Sequence, residues 1–390
     1  MEKRISLSVL ALVMFCVTYS VNLQAPLYGV YAQNSNMGTA AVTVAFAAYV
    51  LGLLPTLLMV GGISNKVGRK PPIFIALLLS IGATALLIIQ PNWTSLFIAR
   101  LLLGIATALT TTSVSAYIYD LIEERELKFG TLLVAGSTSL GFGSGALATS
   151  ASLNVTGMTV MPYSYLSLFL LVPLLMLYLV RLPTNQTIQP NLSLITLPCF
   201  PSNTWSYGLG IMMAWATTGM VIAIVPILLN EIGLSQWTGL MVFLSICTGF
   251  LTQHIAKRLS SSTSLLLGCF FTVLGFSLIA LGYYRESITI ILLGAGCTSL
   301  SSYGFTYMAG LFQFTRDRNI DKASSTAGMY IYSYVGFSIP VITSGFIAQS
   351  FGYWVAILSF IALLLALCAI ICAGKLFEAK KQTHFMKAEN

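Results

Sequence analysis

The sequence contains very little charge. Only 8% of its 390 residues are Asp, Glu, Lys or Arg, 57% are hydrophobic, and the mean hydropathy is +0.87, whereas ordinary soluble domains carry about 25% charged residues. A chain of this length with so few polar side chains cannot cover the surface of a water-soluble protein. The composition therefore excludes a soluble globular protein, a disordered chain and a collagen-like fibre, and it indicates a polytopic membrane protein.

The sequence also lacks cysteine motifs, and it lacks carboxylates in the middle of its apolar runs. The seven cysteines are scattered, with no C-x-x-C pair, so we expect no disulfide framework, no metal site and no cofactor. All eleven acidic residues fall in loops, in tails or near the ends of apolar runs, which argues against a membrane enzyme. No nucleotide-binding loop or signalling domain is recognisable, which argues against an ATP-driven pump and against a membrane sensor.

Twelve apolar runs remain, each of about the 20 residues needed to cross a hydrocarbon core of about 30 Å. They cover residues 5–27, 41–62, 72–90, 95–118, 129–150, 164–182, 205–229, 237–256, 264–284, 287–312, 324–348 and 353–374. Each run is predicted to be one transmembrane helix. The expected fold is an all-α polytopic membrane protein with twelve spans.

The positive charges are distributed unequally between the loops. If the N-terminus is cytoplasmic, 17 of the 19 Lys and Arg residues face inside, Arg285 faces outside and Arg100 lies within a span. This is the asymmetry that the positive-inside rule requires. We expect both termini in the cytoplasm and a plasma membrane of the bacterial inner-membrane type. The net charge of +8 then faces anionic lipid and does not indicate a nucleic-acid partner.

The two halves of the chain carry related patterns. The pattern G-x-x-x-(amide)-(basic)-x-(small)-(basic)-(basic) begins at Gly61 and again at Gly249, and the pair Gly141-Phe142 recurs as Gly336-Phe337. Offsets of 188 and 195 residues indicate a tandem duplication of six spans. We expect an N-terminal six-helix bundle at 1–182, a cytoplasmic linker at 183–204, and a C-terminal six-helix bundle with a short cytoplasmic tail at 205–390.

The loop between spans 2 and 3 resembles the G-x-L-A-D-R-x-G-R-K motif of the major facilitator superfamily. Gly61, Gly68 and Arg69 match it, and Asn65 stands where the family has aspartate. The resemblance implies alternating access between two bundles, with this loop as a conformational latch. Its arginine would pair, in the outward-open state, with an acid at the inner end of helix 4, a role for which Asp120 is placed. Asn65 can cap a helix but lacks the charge of aspartate, which predicts a weaker latch.

Arg100 is the one charged residue well inside a predicted span. With Gly104 it matches the R-x-x-x-G pattern of proton-coupled family members, and Thr107 and Thr111 continue its helical face. A charge within the membrane indicates a function by default, and we expect Arg100 to bond to Asn22 at a similar depth. The alternative is that Arg100 snorkels to the outer surface, about six residues or 9 Å away.

The resemblance also implies that helices 1, 4, 7 and 10 line a central cavity. On these helices the candidates for substrate contact or coupling are Tyr19, Asn22, Gln24, Arg100, Thr107, Thr111, Trp215, Thr218, Ser299, Tyr303 and Tyr307. Aromatic rings beside polar groups suit planar or amphipathic substrates. The alternative is that these rings belong to interfacial belts or to helix packing.

Span 5 resembles the G-x-x-x-G-P-x-x-G-G motif of the family's antiporters. Gly136, Gly141 and Gly145 keep small residues for close helix packing, while Phe142 replaces the proline. The alternative is a glycine-rich packing face with no bearing on the direction of transport.

These patterns together predict a secondary transporter, namely a proton-linked exporter of small amphipathic or apolar molecules. The alternative is a uniporter or symporter for a neutral or anionic metabolite, which a lone arginine without a carboxylate favours. The expected partners are the small-molecule substrate, protons as the coupling ion, and membrane lipid. We expect a monomer.

Overall fold

Twelve helices long and apolar enough to cross a membrane are found in the computed structural model, which describes residues 2–183, 193–317 and 319–388. They are α1 Lys3–Gln33, α2 Thr39–Val60, α3 Lys70–Ile89, α4 Trp93–Leu121, α5 Glu124–Thr156, α6 Tyr163–Arg181, α7 Trp205–Glu231, α8 Ser235–Ala256, α9 Ser261–Tyr284, α10 Ile288–Phe314, α11 Lys322–Phe351 and α12 Tyr353–Phe377. The predicted all-α fold with twelve spans is confirmed. Residues 184–192 of the predicted linker, Arg318 and the last two residues of the predicted tail lie outside the described residues.

Polar caps and a glycine turn set several helix ends. Asn92, Ser260 and Asp321 begin α4, α9 and α11, and each side-chain oxygen accepts a hydrogen bond from the amide three residues on. Such a bond satisfies one of the free amides at a helix start. Before α3 the chain turns at Gly68, whose φ of 88° lies in the left-handed region that favours glycine.

Prolines interrupt α1 and α7 at equivalent places. The residues Ala25–Leu27 of α1 form a 3-10 turn that contains Pro26, and α7 divides into Trp205–Ala223 and Val225–Glu231 at Pro226. Proline has no amide hydrogen and clashes with the preceding helical turn. The two prolines are 200 residues apart, so the internal repeat extends to the helix interruptions.

A π-helix at Leu300–Phe305 interrupts α10. Its backbone hydrogen bonds join residues five apart instead of four, and side chains of neighbouring helices bind two of its carbonyls. Gln253 Nε2 on α8 donates to Tyr303 O at 2.9 Å, and Ser264 Oγ on α9 donates to Phe305 O at 2.8 Å. A π-helical segment often marks a functional site, and this one carries a tyrosine that faces the central cavity.

The helices form two bundles, α1–α6 and α7–α12, which touch through α2 with α11 and through α5 with α8. We call the face that carries Lys66, Arg69 and Lys70 the basic face. At the opposite face Ala40 N on α2 donates to Gln349 Oε1 on α11 at 3.1 Å. The bundles therefore meet away from the basic face and diverge towards it.

Linker residues 193–204 run along the basic face. Thr196 N donates to Leu58 O near the end of α2 at 2.7 Å, and Cys199 N donates to Ser324 O near the start of α11 at 2.9 Å. The linker thus joins the two helices that contact each other at the opposite face.

Candidate functional site

A cavity of about 400 Å³ lies between the two bundles. Seven of the predicted residues line it: Asn22, Arg100, Thr107, Thr111, Trp215, Tyr303 and Tyr307. Tyr119 and Thr131, near the basic-face ends of α4 and α5, also line it and are exposed. The cavity is therefore closed at the face where the bundles meet and open towards the basic face.

Arg100 lies in the cavity wall near the closed end and is completely buried. Its Nη1 donates to Val21 O at 2.8 Å, and its Nε and Nη2 donate to Phe46 O at 3.3 and 3.2 Å. The guanidinium carbon is 4.8 Å from the ring centres of both Phe46 and Tyr49. The side chain points into the protein and joins α4 to α1 and α2, so it does not snorkel to the membrane surface.

Asn22 does not form the predicted hydrogen bond with Arg100. Its Nδ2 donates instead to Phe142 O on α5 at 2.8 Å. Asn22 is the last residue of the first part of α1. The predicted bond would have had Arg100 as the donor and Asn22 Oδ1 as the acceptor, but the guanidinium donates to backbone carbonyls instead. Arg100 reaches the same end of α1 through the carbonyl of Val21.

Four predicted residues face away from the cavity. Tyr19 OH donates to Ser164 O at 3.4 Å, Gln24 Nε2 donates to Val21 O at 2.8 Å, and Thr218 Oγ1 donates to Ala214 O at 3.3 Å. Ser299 Oγ accepts from Gly249 N at 2.8 Å. Each of these polar groups is satisfied within its own bundle, so these residues contribute to helix packing.

Aromatic rings form the wall contributed by the C-terminal bundle. The Trp215 ring centre lies 5.3 Å from that of Tyr334, 6.0 Å from that of Tyr303 and 6.1 Å from that of Phe337. The Trp215 Nε1 is buried and has no hydrogen-bond partner. At the closed end Phe337 also contacts Phe46 of the other bundle, with ring centres 4.8 Å apart.

The predicted latch residues meet at the basic face. Arg69 Nε donates to Asp120 Oδ2 at 2.8 Å, and Arg69 Nη1 donates to Asn65 Oδ1 at 2.5 Å and to Ser64 Oγ at 2.8 Å. All four residues belong to the N-terminal bundle. The ion pair between Arg69 and Asp120 is formed although the cavity is open at the basic face. The pair therefore does not require the outward-open state for which it was expected.

The chain is similar to a known protein family and to solved structures. A family model described as Major Facilitator Superfamily matches residues 10–339. The chain belongs to the major facilitator superfamily. Members of this superfamily are transporters rather than enzymes, and the twelve apolar helices make the chain an integral membrane protein. No curated protein sequence matches it.

Solved structures of superfamily transporters share the fold. A mutant of the nucleoside transporter NupG superimposes with a TM-score of 0.78 at 14% identity, covering 95% of this chain and 99% of that chain. A bacterial homologue of the human lysosomal transporter Spinster, in an inward-facing and unoccupied conformation, superimposes with a TM-score of 0.71 at 12% identity, covering 95% and 96%. Identities this low establish the fold alone.

Several cavity residues escaped the sequence prediction because they lie on helices 2, 8 and 11, outside the four helices that the superfamily resemblance implies. They are Tyr49, Gln253, Tyr330, Tyr334 and Phe337. A signal for three of them was present: Tyr330, Tyr334 and Phe337 are spaced i, i+4 and i+7, which places their rings on one helical face.

The start of α11 carries its own negative charge. The loop after α2 has Asn65 where the superfamily motif has aspartate, and α11 is capped by Asp321. Asp321 Oδ2 accepts hydrogen bonds from Ser324 N at 2.9 Å and Ser324 Oγ at 3.0 Å. These bonds hold the pKa of Asp321 below its usual range, so the cap stays charged at neutral pH.

Two of the three predicted packing glycines of α5 meet α1. A Cβ on Gly145 would lie 2.2 Å from Tyr19 O, and one on Gly141 would lie 2.6 Å from Phe15 O. A Cβ on Gly136 would have no neighbour within 4 Å, so the packing role proposed for Gly136 is wrong. The close approach of α1 and α5 depends on the other two.

Proposed function

We propose that this superfamily member exports small amphipathic or apolar molecules in exchange for protons. The observation that carries the proposal is the cavity, which lies between two bundles, is closed at one face, and has an aromatic wall. Alternating access requires such a site between two bodies that can rock against each other. The rings of Trp215, Tyr303 and Tyr334 suit substrates with a planar apolar body.

Export and proton exchange are supported by two patterns. The glycines of α5 that pack on α1 occupy positions of the superfamily's antiporter motif, and Arg100 with Gly104 occupies the pattern of proton-coupled members. The guanidinium of Arg100 lies in the cavity wall, where its fixed positive charge would lower the proton affinity of any neighbouring group.

A second candidate is a uniporter or symporter for a neutral or anionic metabolite. It is favoured by Arg100, because the described residues lining the cavity include no Asp or Glu that could carry a proton. The structural neighbour NupG is a nucleoside transporter, so neutral planar solutes belong among the substrates to be tested.

For the orientation, we propose that the basic face lies in the cytoplasm, together with both termini. The positive-inside rule supports this arrangement. The cavity would then be open to the cytoplasm, which is the state in which an exporter binds its substrate. We propose a plasma membrane, of the bacterial inner-membrane type, and a monomer surrounded by lipid.

Counterflow into proteoliposomes, with and without a pH gradient, tests these candidates on a panel of planar acids, nucleosides and amphipathic amines. Proton exchange predicts that substrate added outside the liposomes accumulates inside when the lumen is acidic, and that a protonophore abolishes this accumulation. Symport with protons predicts accumulation for the reverse gradient, and uniport predicts no response to the pH gradient of either sign. Protein-free liposomes provide the control, and absence of counterflow for every solute would contradict transport.

A further inference from the structure

The cavity wall carries an unbalanced positive charge. Of the described residues that line it, Arg100 is the one with a charged side chain, and none of the described ion pairs includes it. Arginine remains protonated in proteins. Its contacts are neutral carbonyls and the ring faces of Phe46 and Tyr49, which lower the cost of burial without cancelling the charge.

A second unmatched group lies across the cavity. The Nε1 of Trp215 is buried and makes no hydrogen bond, and an indole nitrogen can only donate. A buried donor without a partner is unfavourable, and a ligand atom that accepts a hydrogen bond would satisfy it. Both unmatched features of the cavity wall, one on each bundle, therefore call for a negative or hydrogen-bond-accepting group.

The remaining surface of the cavity combines aromatic, hydroxyl and aliphatic side chains. Tyr303, Tyr334 and Phe337 surround the ring of Trp215, and Tyr307 and Tyr330 add further rings to the lining. A volume of about 400 Å³ lies within the usual range for sites that hold small organic molecules. Such a wall favours a flat ring system over a flexible chain, because offset and edge-to-face ring contacts need planar partners.

We propose that the substrate is a planar amphipathic monoanion, such as an aromatic carboxylic acid, whose acid group is drawn towards Arg100 and the Nε1 of Trp215 and whose rings pack against the surrounding aromatic side chains. This inference rests on the proposed function, since it takes the cavity to be the transport site. It narrows the substrate from small amphipathic molecules in general to one charge class.

Three naphthalene probes of the same shape and different charge provide the test: 2-naphthoate, 2-naphthamide and 2-naphthylmethylammonium. Their binding to the purified full-length protein in detergent is measured by isothermal titration calorimetry. We expect the anion to bind at least about tenfold more tightly than the cation, with the amide between them, because opposite charges attract strongly in a low-dielectric cavity. Equal binding of the three probes, or preference for the cation, overturns the proposal.

Variants assign the preference to the two groups. Arg100→Gln should remove the preference for the anion, while Arg285→Gln, which deletes a positive charge at the distant end of α9, should preserve it. Trp215→Phe keeps a ring and loses the donor, and should weaken the anion by about three- to tenfold while leaving the amide less affected. Persistence of the full preference in a folded Arg100→Gln protein contradicts the assignment.

Two further measurements keep the outcome decisive. If Arg100→Gln does not fold, Arg100→Lys must retain the order anion, amide, cation with weaker binding, because it keeps the charge; an altered order refutes the proposal. Counterflow of the same probes separates the inference from the proposed function. Selective binding of the anion without any counterflow would disprove transport alone, whereas counterflow restricted to the amide or the cation would disprove the inference alone.

Discussion

At the scale of single residues, Arg100 is the position where we expect the largest effect on transport. Arg100→Lys keeps the charge but cannot span the carbonyls of Val21 and Phe46, and Arg100→Leu loses charge and bonds together. Each lost hydrogen bond to a charged group is worth about 1.5 to 3 kcal/mol, so transport should fall about tenfold or more in both.

Initial rates of counterflow, normalised to the amount of protein in the membrane, measure this effect. Arg285→Leu is the matched control, since it removes an arginine that lies at the end of α9, on the face opposite the basic face, and does not line the cavity. Transport at the wild-type rate by an Arg100→Leu protein of normal abundance would remove Arg100 from the site.

The ion pair between Arg69 and Asp120 should show partial exchangeability. We expect the double variant with Arg69→Asp and Asp120→Arg to transport more than either single variant. Recovery should be incomplete, because Arg69 also bonds to Asn65 and Ser64, and a partly exposed pair contributes about 1 kcal/mol or less. The measurement is counterflow by the three variants at equal abundance, and a double variant no more active than the worse single variant would refute the pairing.

Sequence patterns found part of this site and missed part for physical reasons. Arg100 stood out because a charge inside an apolar run is costly, whatever its partners are. The partners themselves, the carbonyls of Val21 and Phe46, are backbone atoms that every residue has, so no side-chain pattern reveals them. The expected partner Asn22 has the right depth on α1, but its amide is directed to α5 instead.

At the scale of helices, the packing of α5 on α1 should depend on Gly145 and be independent of Gly136. A methyl group at position 145 would meet Tyr19 O at 2.2 Å, and one at position 136 would meet open space. Forcing extra volume into close packing typically costs about 1 to 3 kcal/mol. We expect Gly145→Ala to lower the thermal unfolding midpoint in detergent and Gly136→Ala to leave it unchanged or slightly raised.

The pair of variants is matched, since both add one methyl group to the same helix. Equal unfolding midpoints for the two alanine variants would contradict the helix contact. Sequence spacing grouped these glycines together because it cannot tell which side of a helix has a neighbour; only the path of α1 makes that distinction.

The number of helices and their approximate positions follow from the sequence, because the membrane forces each span to be long and apolar. The interruptions of the helices follow less directly. Pro26 and Pro226 are visible in the sequence, and proline favours a break. Continuous helices nevertheless contain Pro55, Pro173 and Pro340, so proline alone does not locate the interruptions. The π-helix of α10 contains no proline at all and depends on side chains of α8 and α9 that bind its carbonyls, so it requires knowledge of the neighbours.

At the scale of the whole molecule, the orientation proposed from charge can be tested by labelling. In a cysteine-free background, Val67→Cys on the basic face should react with an impermeant thiol reagent only after the membrane is opened. Met158→Cys, in the loop after α5, should react in intact cells. Both native side chains are exposed, by 48% and 64%. Any difference in labelling between the two positions would therefore reflect the side of the membrane on which each lies. Reaction of the cysteine at position 67 in intact cells would reverse the topology.

Transport should also require the two bundles to separate where they now touch. Ala40 of α2 and Gln349 of α11 are in contact at the closed face, and alternating access opens that face in each cycle. In the cysteine-free background, Ala40→Cys with Gln349→Cys, joined by a short bifunctional thiol reagent, should abolish counterflow, and a cleavable reagent should allow recovery after reduction.

The matched control joins two sites within one bundle. Asn34 Nδ2 donates to Pro91 O at 2.8 Å, between the end of α1 and the start of α4. The same reagent across Asn34→Cys and Pro91→Cys links residues that move together as one body, so counterflow should persist. Undiminished counterflow by the fully joined pair at positions 40 and 349 would mean that the bundles need not part at this face. The cavity open to the basic face would then not be one end state of a rocking motion, and substrate would have to pass by another route.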